Sequence, residues 1–286
     1  MTVRNFVPEI WRATVDVALR KALIYAGPGI VNRDYEGDIR AQGDSVKVTS
    51  VGRPTINDYI PGPGGTQIQP EALNTGQRVF QVDQAKYFAL EVDDVDKAQM
   101  LGDLMPTALD EAGYGIADVM DRYVASLHTQ IPANQSVGTV TVDLSAPADP
   151  DKEARRVYDE LVVPAGVMLD EMNVPETGRY MVLPPWMFGC LRRDPRFIEA
   201  DKSANPNALR SGEVGNAGGF TFYKSNNVPE PTPGNFVITA GTNRAITFAS
   251  QITEIEAYRP ESSFSDAVKS LVVYGAKVFR PDCIIK

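Results

Sequence analysis

The chain has 286 residues, a formal net charge of −9 and a hydrophobic content of 43%. A chain of this length buries roughly three-quarters of the surface that it exposes when unfolded, so it can form a core without disulfides or metals. Its composition is that of an ordinary globular protein, and its longest apolar run, residues 182–190, is far shorter than the ~20 residues of a membrane-spanning helix. These figures argue against a wholly disordered chain and against a membrane protein.

The negative charge is concentrated in one stretch of the sequence. Residues 91–122 carry nine acidic side chains against Lys97 and Arg122, a net charge of −7, which leaves −2 for the other 254 residues. A surface that grips DNA phosphates tightly needs a basic field, and the sequence has no basic stripe. We therefore expect no tight, direct binding of nucleic acid.

Few residues are suited to catalysis or to metal binding. The chain has one histidine, His128, and two cysteines, Cys190 and Cys283. It contains neither a GxxxxGK(S/T) phosphate-binding motif nor an HExxH zinc motif. The cysteines lie in apolar runs, where cysteine packs as a small hydrophobic residue, and His128 ends a predicted helix. We expect no enzyme activity, no metal and no cofactor.

The N-terminal part predicts a helix followed by a long hairpin. Residues 5–26 have apolar side chains at helical spacing, and this helix either packs on its own core or docks on a neighbour. Strands are predicted at residues 46–48 and 80–82. Between them, residues 53–78 include eight glycines and prolines, and loops of this length are uncommon in compact domains. We favour an extended hairpin that packs outside its own subunit over a mobile loop.

The remaining sequence predicts a mixed α+β fold built around one long helix. Residues 86–92 alternate as a strand, with Phe88, Leu90 and Val92 on one face. A short helix should precede residue 104, and a helix from Pro106 to about Gln130 should be roughly 36 Å long at 1.5 Å per residue. Its predicted apolar positions are Ile116, Val119, Met120, Tyr123, Val124 and Leu127.

Another helix should start near residue 151 and be kinked or ended by Pro164. A short helix is predicted at residues 185–191, and a surface loop at residues 204–219. Strands are predicted at residues 138–142, 179–184, 220–223, 236–239, 245–248, 254–258 and 270–279.

Several segments, in order along nearly the whole chain, together resemble one known family. They are similar to the major capsid proteins of tailed bacteriophages, in the branch related to the coat protein of phage P22, although none is diagnostic by itself. The segments are residues 6–11, 32–37, 43–46, 55–59, 83–88, 92–99, 173–179 (with Pro184, Leu191 and Phe197), 225–229 and 273–278.

The resemblance implies an α+β fold of the HK97 type, made of four parts. Residues 1–45 would form an N-terminal arm and residues 46–84 an extended β-hairpin loop. Residues 85–132 and 255–286 would form a peripheral domain with a long spine helix, and residues 133–254 an axial domain. The P22 coat protein carries an inserted domain, for which 286 residues leave little room.

The resemblance also implies the function, a coat protein that assembles into an icosahedral shell of hexamers and pentamers. The shell would enclose double-stranded DNA without tight specific binding, and a scaffolding protein and a portal would take part in assembly in the host cytoplasm. The alternative is an encapsulin-type compartment of the same fold, because fold alone does not fix function. The expected subunit-interface residues are Trp11, Arg12, Ile56, Tyr59, Ile60, Ile68 and Leu73.

Overall fold

The structure is a computed structural model that describes residues 23–34, 45–51, 55–59, 61, 66, 72, 75–93, 104–142, 150–194, 216–261 and 265–286. In this part of the chain, ten strands form three sheets, and four α-helices accompany them. The predicted short helix before residue 104 and most of the predicted loop at residues 204–219 lie outside the described residues.

The extended hairpin predicted between residues 46 and 82 is confirmed. Strand β1 (Ser45–Val51) pairs antiparallel with β2 (Thr75–Gln81), and the register places Ser45 opposite Gln81 and Val51 opposite Thr75. Residues 52–74 connect the two strands. The hairpin then continues, after a two-residue connection, into strand β3 (Gln84–Asp93).

A three-stranded antiparallel sheet contains β3, β9 (Ser265–Val278) and β8 (Ile246–Tyr258), with β9 in the centre. The sequence predicts two separate strands, at residues 245–248 and 254–258, where the structure has the single strand β8. A register irregularity between Ile252 and Glu254 explains the difference. A bulge of this kind shifts the alternation of side chains by one residue, so one strand reads as two.

The long helix is confirmed as α1 (Leu104–Ser126), which ends in a 3-10 turn, Leu127–Gln130. It lies against the inner face of the three-stranded sheet, where apolar side chains of α1 and β9 share one core. These are Leu109, Ile116, Met120, Val124, Val268 and Val272. Val119, which belongs to the same predicted apolar pattern, lies at the margin of this face and is 40% exposed.

The helix that starts near residue 151 passes Pro164 through a wider turn. It consists of α2 (Pro150–Val157), a π-helical turn (Tyr158–Val162) and α3 (Val163–Glu171). Proline lacks an N–H, and its ring clashes with the carbonyl four residues earlier in an α-helix. In the π-turn the N–H of Val163 donates to the carbonyl of Tyr158, five residues back. Regular α-helix therefore stops before Pro164, as predicted, but the helix resumes.

A mixed five-stranded sheet has the order β10 (Ile284–Ile285), β7 (Thr239–Thr242), β4 (Arg179–Leu183), β6 (Phe220–Lys224), β5 (Asn216–Ala217). All five residues of β4 are buried, which confirms the predicted buried strand. Helix α4 (Pro185–Arg193) follows β4 as predicted, and its Cys190 lies in the main core.

Two predicted strands differ in this region. The strand expected at residues 236–239 begins only at Thr239. The strand expected at residues 138–142 is wrong, because these residues join no sheet of the described part. Gly138 has a φ of +110°, which interrupts the extended backbone that a strand requires.

The predicted N-terminal helix does not include residues 24–26. Residues 5–22 lie outside the described residues, and residues 24–30 form a series of turns. Two N–H groups that would continue a helix donate instead to the Asp121 carboxylate, so the extension of the helix to residue 26 is wrong. Among the described residues, no helix is both long enough and apolar enough to cross a membrane.

Candidate functional site

The distal part of the hairpin exposes large apolar side chains. Residues 55–59 are all exposed, and among them Ile56 is 96% and Tyr59 67% exposed. An isoleucine side chain contributes roughly 1.5–3 kcal/mol when it moves from water into an apolar contact. Nothing in the described part of the subunit provides that contact. The other expected interface residues, namely Trp11, Arg12, Ile60, Ile68 and Leu73, lie outside the described residues.

The base of the hairpin is buried, in contrast to its distal part. Phe80 is 0% and Val82 1% exposed, and they form a second core with Ala249, Val273 and Phe279. This second core lies on the outer face of the three-stranded sheet, opposite α1. The hairpin is therefore fixed to its own subunit at the base.

Three polar contacts hold the hairpin base in place. The Arg78 guanidinium donates to the carbonyl of Phe279, and Lys277 Nζ donates to the carbonyl of Val79 at 3.0 Å. Tyr123 on α1 donates to Asp83 Oδ1 at 2.8 Å, just after the hairpin ends. Helix α1, β9 and the C-terminal segment thus all contribute to the direction in which the hairpin leaves the subunit.

A glycine allows the hairpin to cross β9 closely. A Cβ atom on Gly275 would lie 2.7 Å from the carbonyl oxygen of Gln81 and 3.0 Å from Cα of Val82. Both are backbone atoms, which cannot rotate away as a side chain can. Only glycine fits here without a shift of the hairpin base.

An exposed patch on the outer face of the three-stranded sheet was not predicted from the sequence. Tyr87 on β3 is 80% exposed and lies directly opposite Leu271 on β9, which is 41% exposed. On β8, Tyr258 is also 41% exposed, and Lys269 Nζ lies 5.2 Å from the centre of its ring. We call Tyr87, Leu271 and Tyr258 the outer patch.

A buried carboxylate marks the place where the N-terminal region joins the subunit. Asp121 on α1 is 1% exposed. Its Oδ2 accepts from the N–H of Ile24 at 2.8 Å, and its Oδ1 accepts from the N–H of Ala26 at 3.0 Å. Burial raises the pKa of this carboxyl above its ordinary value, while the backbone hydrogen bonds from residues 24–26 act in the opposite direction. In the sequence, Asp121 is one of the nine acidic side chains of residues 91–122.

The described residues offer little catalytic chemistry. No group of three or more His, Cys, Asp or Glu side chains in this part of the chain is arranged to hold a metal ion. The ring of His128 lies at the end of α1, with Nδ1 3.0 Å from the carbonyl oxygen of Ala125. Burial raises the pKa of Tyr25 and of Tyr180, so both phenols stay neutral inside the core.

Comparison with protein families and solved structures gives consistent matches. A family model described as phage capsid protein matches residues 75–286. A protein of Mycobacterium phage Che8 is 30% identical; the match covers 92% of this chain and 89% of that chain, with a TM-score of 0.68. No curated protein matches the chain.

Two further solved structures share the fold at lower identity. The capsid of cyanophage P-SCSP1u is 20% identical, with 93% of this chain and 88% of that chain covered and a TM-score of 0.68. A virus-like particle from Pyrococcus furiosus is 12% identical, with 96% of each chain covered and a TM-score of 0.54. At these identities the similarity carries the fold alone.

Proposed function

Because this chain belongs to the phage capsid protein family and is a major capsid protein that forms an icosahedral shell, we propose that its hairpin and N-terminal arm join neighbouring subunits. The HK97-type α+β fold expected from the sequence is confirmed. The specific relation to the P22 coat protein stays a prediction. The encapsulin-type alternative is less supported, since the family model and the 30% identical relative both come from phages.

The observation that carries the proposal is the contrast between the two ends of the hairpin. Its base is buried in the second core, whereas Ile56 and Tyr59 are exposed. A two-stranded hairpin is at best marginally stable alone in water, so its distal part buries these side chains only by packing on something else. In a shell every subunit can supply and receive the same contact.

We propose the outer patch as the surface that receives a neighbour's hairpin. It is continuous with the hairpin base, which covers the other half of the same sheet face through Phe80 and Val82. Its exposed apolar side chains match those at the distal end of the hairpin in chemistry. Trp11 and Arg12 in the arm, and Ile60, Ile68 and Leu73 in the hairpin, remain the further contact residues that we propose.

The four-part division of the chain is also a proposal. We assign residues 1–45 to the arm, 46–84 to the extended loop, 85–132 and the C-terminal strands to the peripheral domain, and the intervening residues to the axial domain. The pairing of β8 with β9, which begins at Ile246, supports a limit near residue 245 rather than 255.

The partners beyond the shell follow from the family and from the charge. We propose that the shell encloses double-stranded DNA, that a scaffolding protein and a portal take part in assembly, and that assembly occurs in the host cytoplasm. With a net charge of −9, the subunit should confine DNA sterically, with counterions screening the wall, rather than bind it tightly. We propose that the protein has no enzyme activity.

Substitution of one exposed residue tests the proposed contact. Ile56→Asp should leave the thermal midpoint of the unassembled subunit unchanged, because the side chain has no apolar contact there, and should abolish shells in electron micrographs. Val167→Asp, a similar change at an exposed position on α3, is the matched control and should assemble normally. Normal shells from Ile56→Asp would exclude this side chain from the contact.

A further inference from the structure

Residues 23–34, which we call the brace, run across the helix and both large sheets. The N–H groups of Ile24 and Ala26 donate to Asp121 on α1. Farther along, the N–H of Asn32 donates to the carbonyl of Ile246 at 2.8 Å, and the carbonyl of Asn32 accepts from the N–H of Phe248 at 2.9 Å. The brace is therefore tied to α1 at one end and to the edge of β8 at the other.

The middle of the brace is packed into the main core. Tyr25 is 2% and Ala26 0% exposed, and Ile30 and Val31 are 1% exposed. Gly29 lies against the five-stranded sheet, where a Cβ atom on it would be 2.2 Å from the Tyr223 hydroxyl. With this much apolar burial, the brace does not need a charged residue to hold it on the subunit.

The Asp121 carboxylate nevertheless does what apolar packing alone does not, because it fixes the orientation of the brace backbone. Removing a carboxylate from water is costly, and well-packed apolar residues often stabilise a core as well as a buried ion does. A carboxylate that accepts backbone N–H groups at both oxygens fixes the orientation of that backbone, because charge-assisted hydrogen bonds are short and geometrically specific. The fixed backbone lies within the proposed arm, immediately after its residues 1–22.

We propose that Asp121 is a positioning residue for shell assembly, which sets the point and direction at which the chain preceding Leu23 leaves the subunit. The proposal rests on the proposed function, in which the arm contacts a neighbouring subunit. The Asp121 side chain is buried within its own subunit. It acts through the N–H groups of Ile24 and Ala26, so that each arm starts from the same place on every copy.

The first test compares Asp121→Asn with Asp118→Asn. Asparagine keeps the shape but turns an NH2 donor toward a backbone donor, so amide hydrogen exchange at Ile24 and Ala26 should rise by about tenfold or more. Asp118, one turn earlier on α1, pairs with Arg122 near the surface, so its substitution makes the same change of charge. Shells should form normally from Asp118→Asn and at least about tenfold less from Asp121→Asn. Normal shells, or unchanged exchange, from Asp121→Asn would overturn the proposal.

A second variant changes the direction in which the arm leaves the subunit without changing the stability of the subunit. A Gly-Ser insertion directly before Leu23 leaves every contact of Asp121 in place but changes where the arm begins. It should keep the thermal midpoint of the unassembled subunit and still reduce shell formation. If Asp121→Asn does not fold, this insertion decides alone, and normal shells from it would refute the positioning role.

Deletion of residues 1–22 distinguishes this inference from the proposed function. Normal shells after the deletion would refute the role of the arm itself, and the positioning role with it. Loss of shells after the deletion, together with normal shells from both Asp121→Asn and the insertion, would refute only the positioning role. Loss of shells in all three supports both.

Discussion

Replacing Gly275 by alanine should displace the base of the hairpin. The added Cβ would lie 2.7 Å from the Gln81 carbonyl oxygen, whereas ordinary contacts begin at 3.4 Å, so the backbone must move by about 0.7 Å. Overpacking of a well-packed core costs typically 1–3 kcal/mol. We expect about 2–3 kcal/mol here, because the second close neighbour, Cα of Val82, also belongs to the backbone.

The measurement is urea denaturation of the unassembled subunit, followed by electron microscopy of assembly reactions. Gly275→Ala should lower the free energy of unfolding by this amount and reduce shell yield, because a small shift at the base is amplified at the distal end. The matched control is Gly115→Ala on α1, where a Cβ would meet nothing within 4 Å. It should raise the free energy of unfolding by about 0.5–1 kcal/mol. Unchanged stability and normal shells from Gly275→Ala would refute the role of this crossing.

Three further predictions follow from buried groups and composition. Arg179 is buried and donates to the carbonyls of residues 174 and 175 and to Asp170; Arg179→Met leaves these two carbonyls without their donor and should cost about 1–3 kcal/mol for each in urea denaturation, whereas Asp170→Asn keeps an acceptor at an exposed position and should cost less than ~1 kcal/mol. Burial raises the pKa values of Tyr25 and Tyr180 above 10.0, so in the unfolded chain these phenols lose their protons at a lower pH than in the folded subunit. The free energy of unfolding should therefore be constant below pH 10 with respect to these two groups, and should fall above pH 10 by about 1.4 kcal/mol per pH unit for each phenol. Tyr180→Phe should halve the contribution of the two phenols to this decrease between pH 10 and 11. Residues 48–85 contain no lysine, so lysine cross-links cannot form at the distal hairpin, and shells heated in detergent should run as monomers on a denaturing gel; a ladder of oligomers would contradict this.

The elements that could be predicted from the sequence are those specified by local periodicity. Helix α1 has apolar residues at helical spacing over 23 residues, and the two hairpin strands alternate on either side of a Gly- and Pro-rich stretch. The outer patch could also have been found. The assignment of Phe88, Leu90 and Val92 to the inner face of β3 places Tyr87 on the outer face, because side chains alternate along a strand.

The features that could not be predicted depend on partners distant in sequence. Asp121 looks like one more acid in a charged stretch until the chain folds and brings Ile24, 97 residues away, to its carboxylate. The bulge in β8 likewise depends on its pairing with β9. Neither the spacing nor the composition of residues in a short stretch of sequence predicts contacts with residues far away in the chain.

The most direct test of the account replaces residues 52–74 by Asn-Gly. Val51 and Thr75 are directly opposed in the hairpin, and a two-residue Asn-Gly turn suits the twist of antiparallel strands. The base, with Phe80 and Val82 in the second core, is left intact, so the thermal midpoint of the unassembled subunit should change by no more than a few degrees, or roughly 1 kcal/mol. Electron micrographs should show no closed shells. Normal shells would contradict the claim that the hairpin joins subunits, and an unfolded subunit would show that residues 52–74 belong to the core.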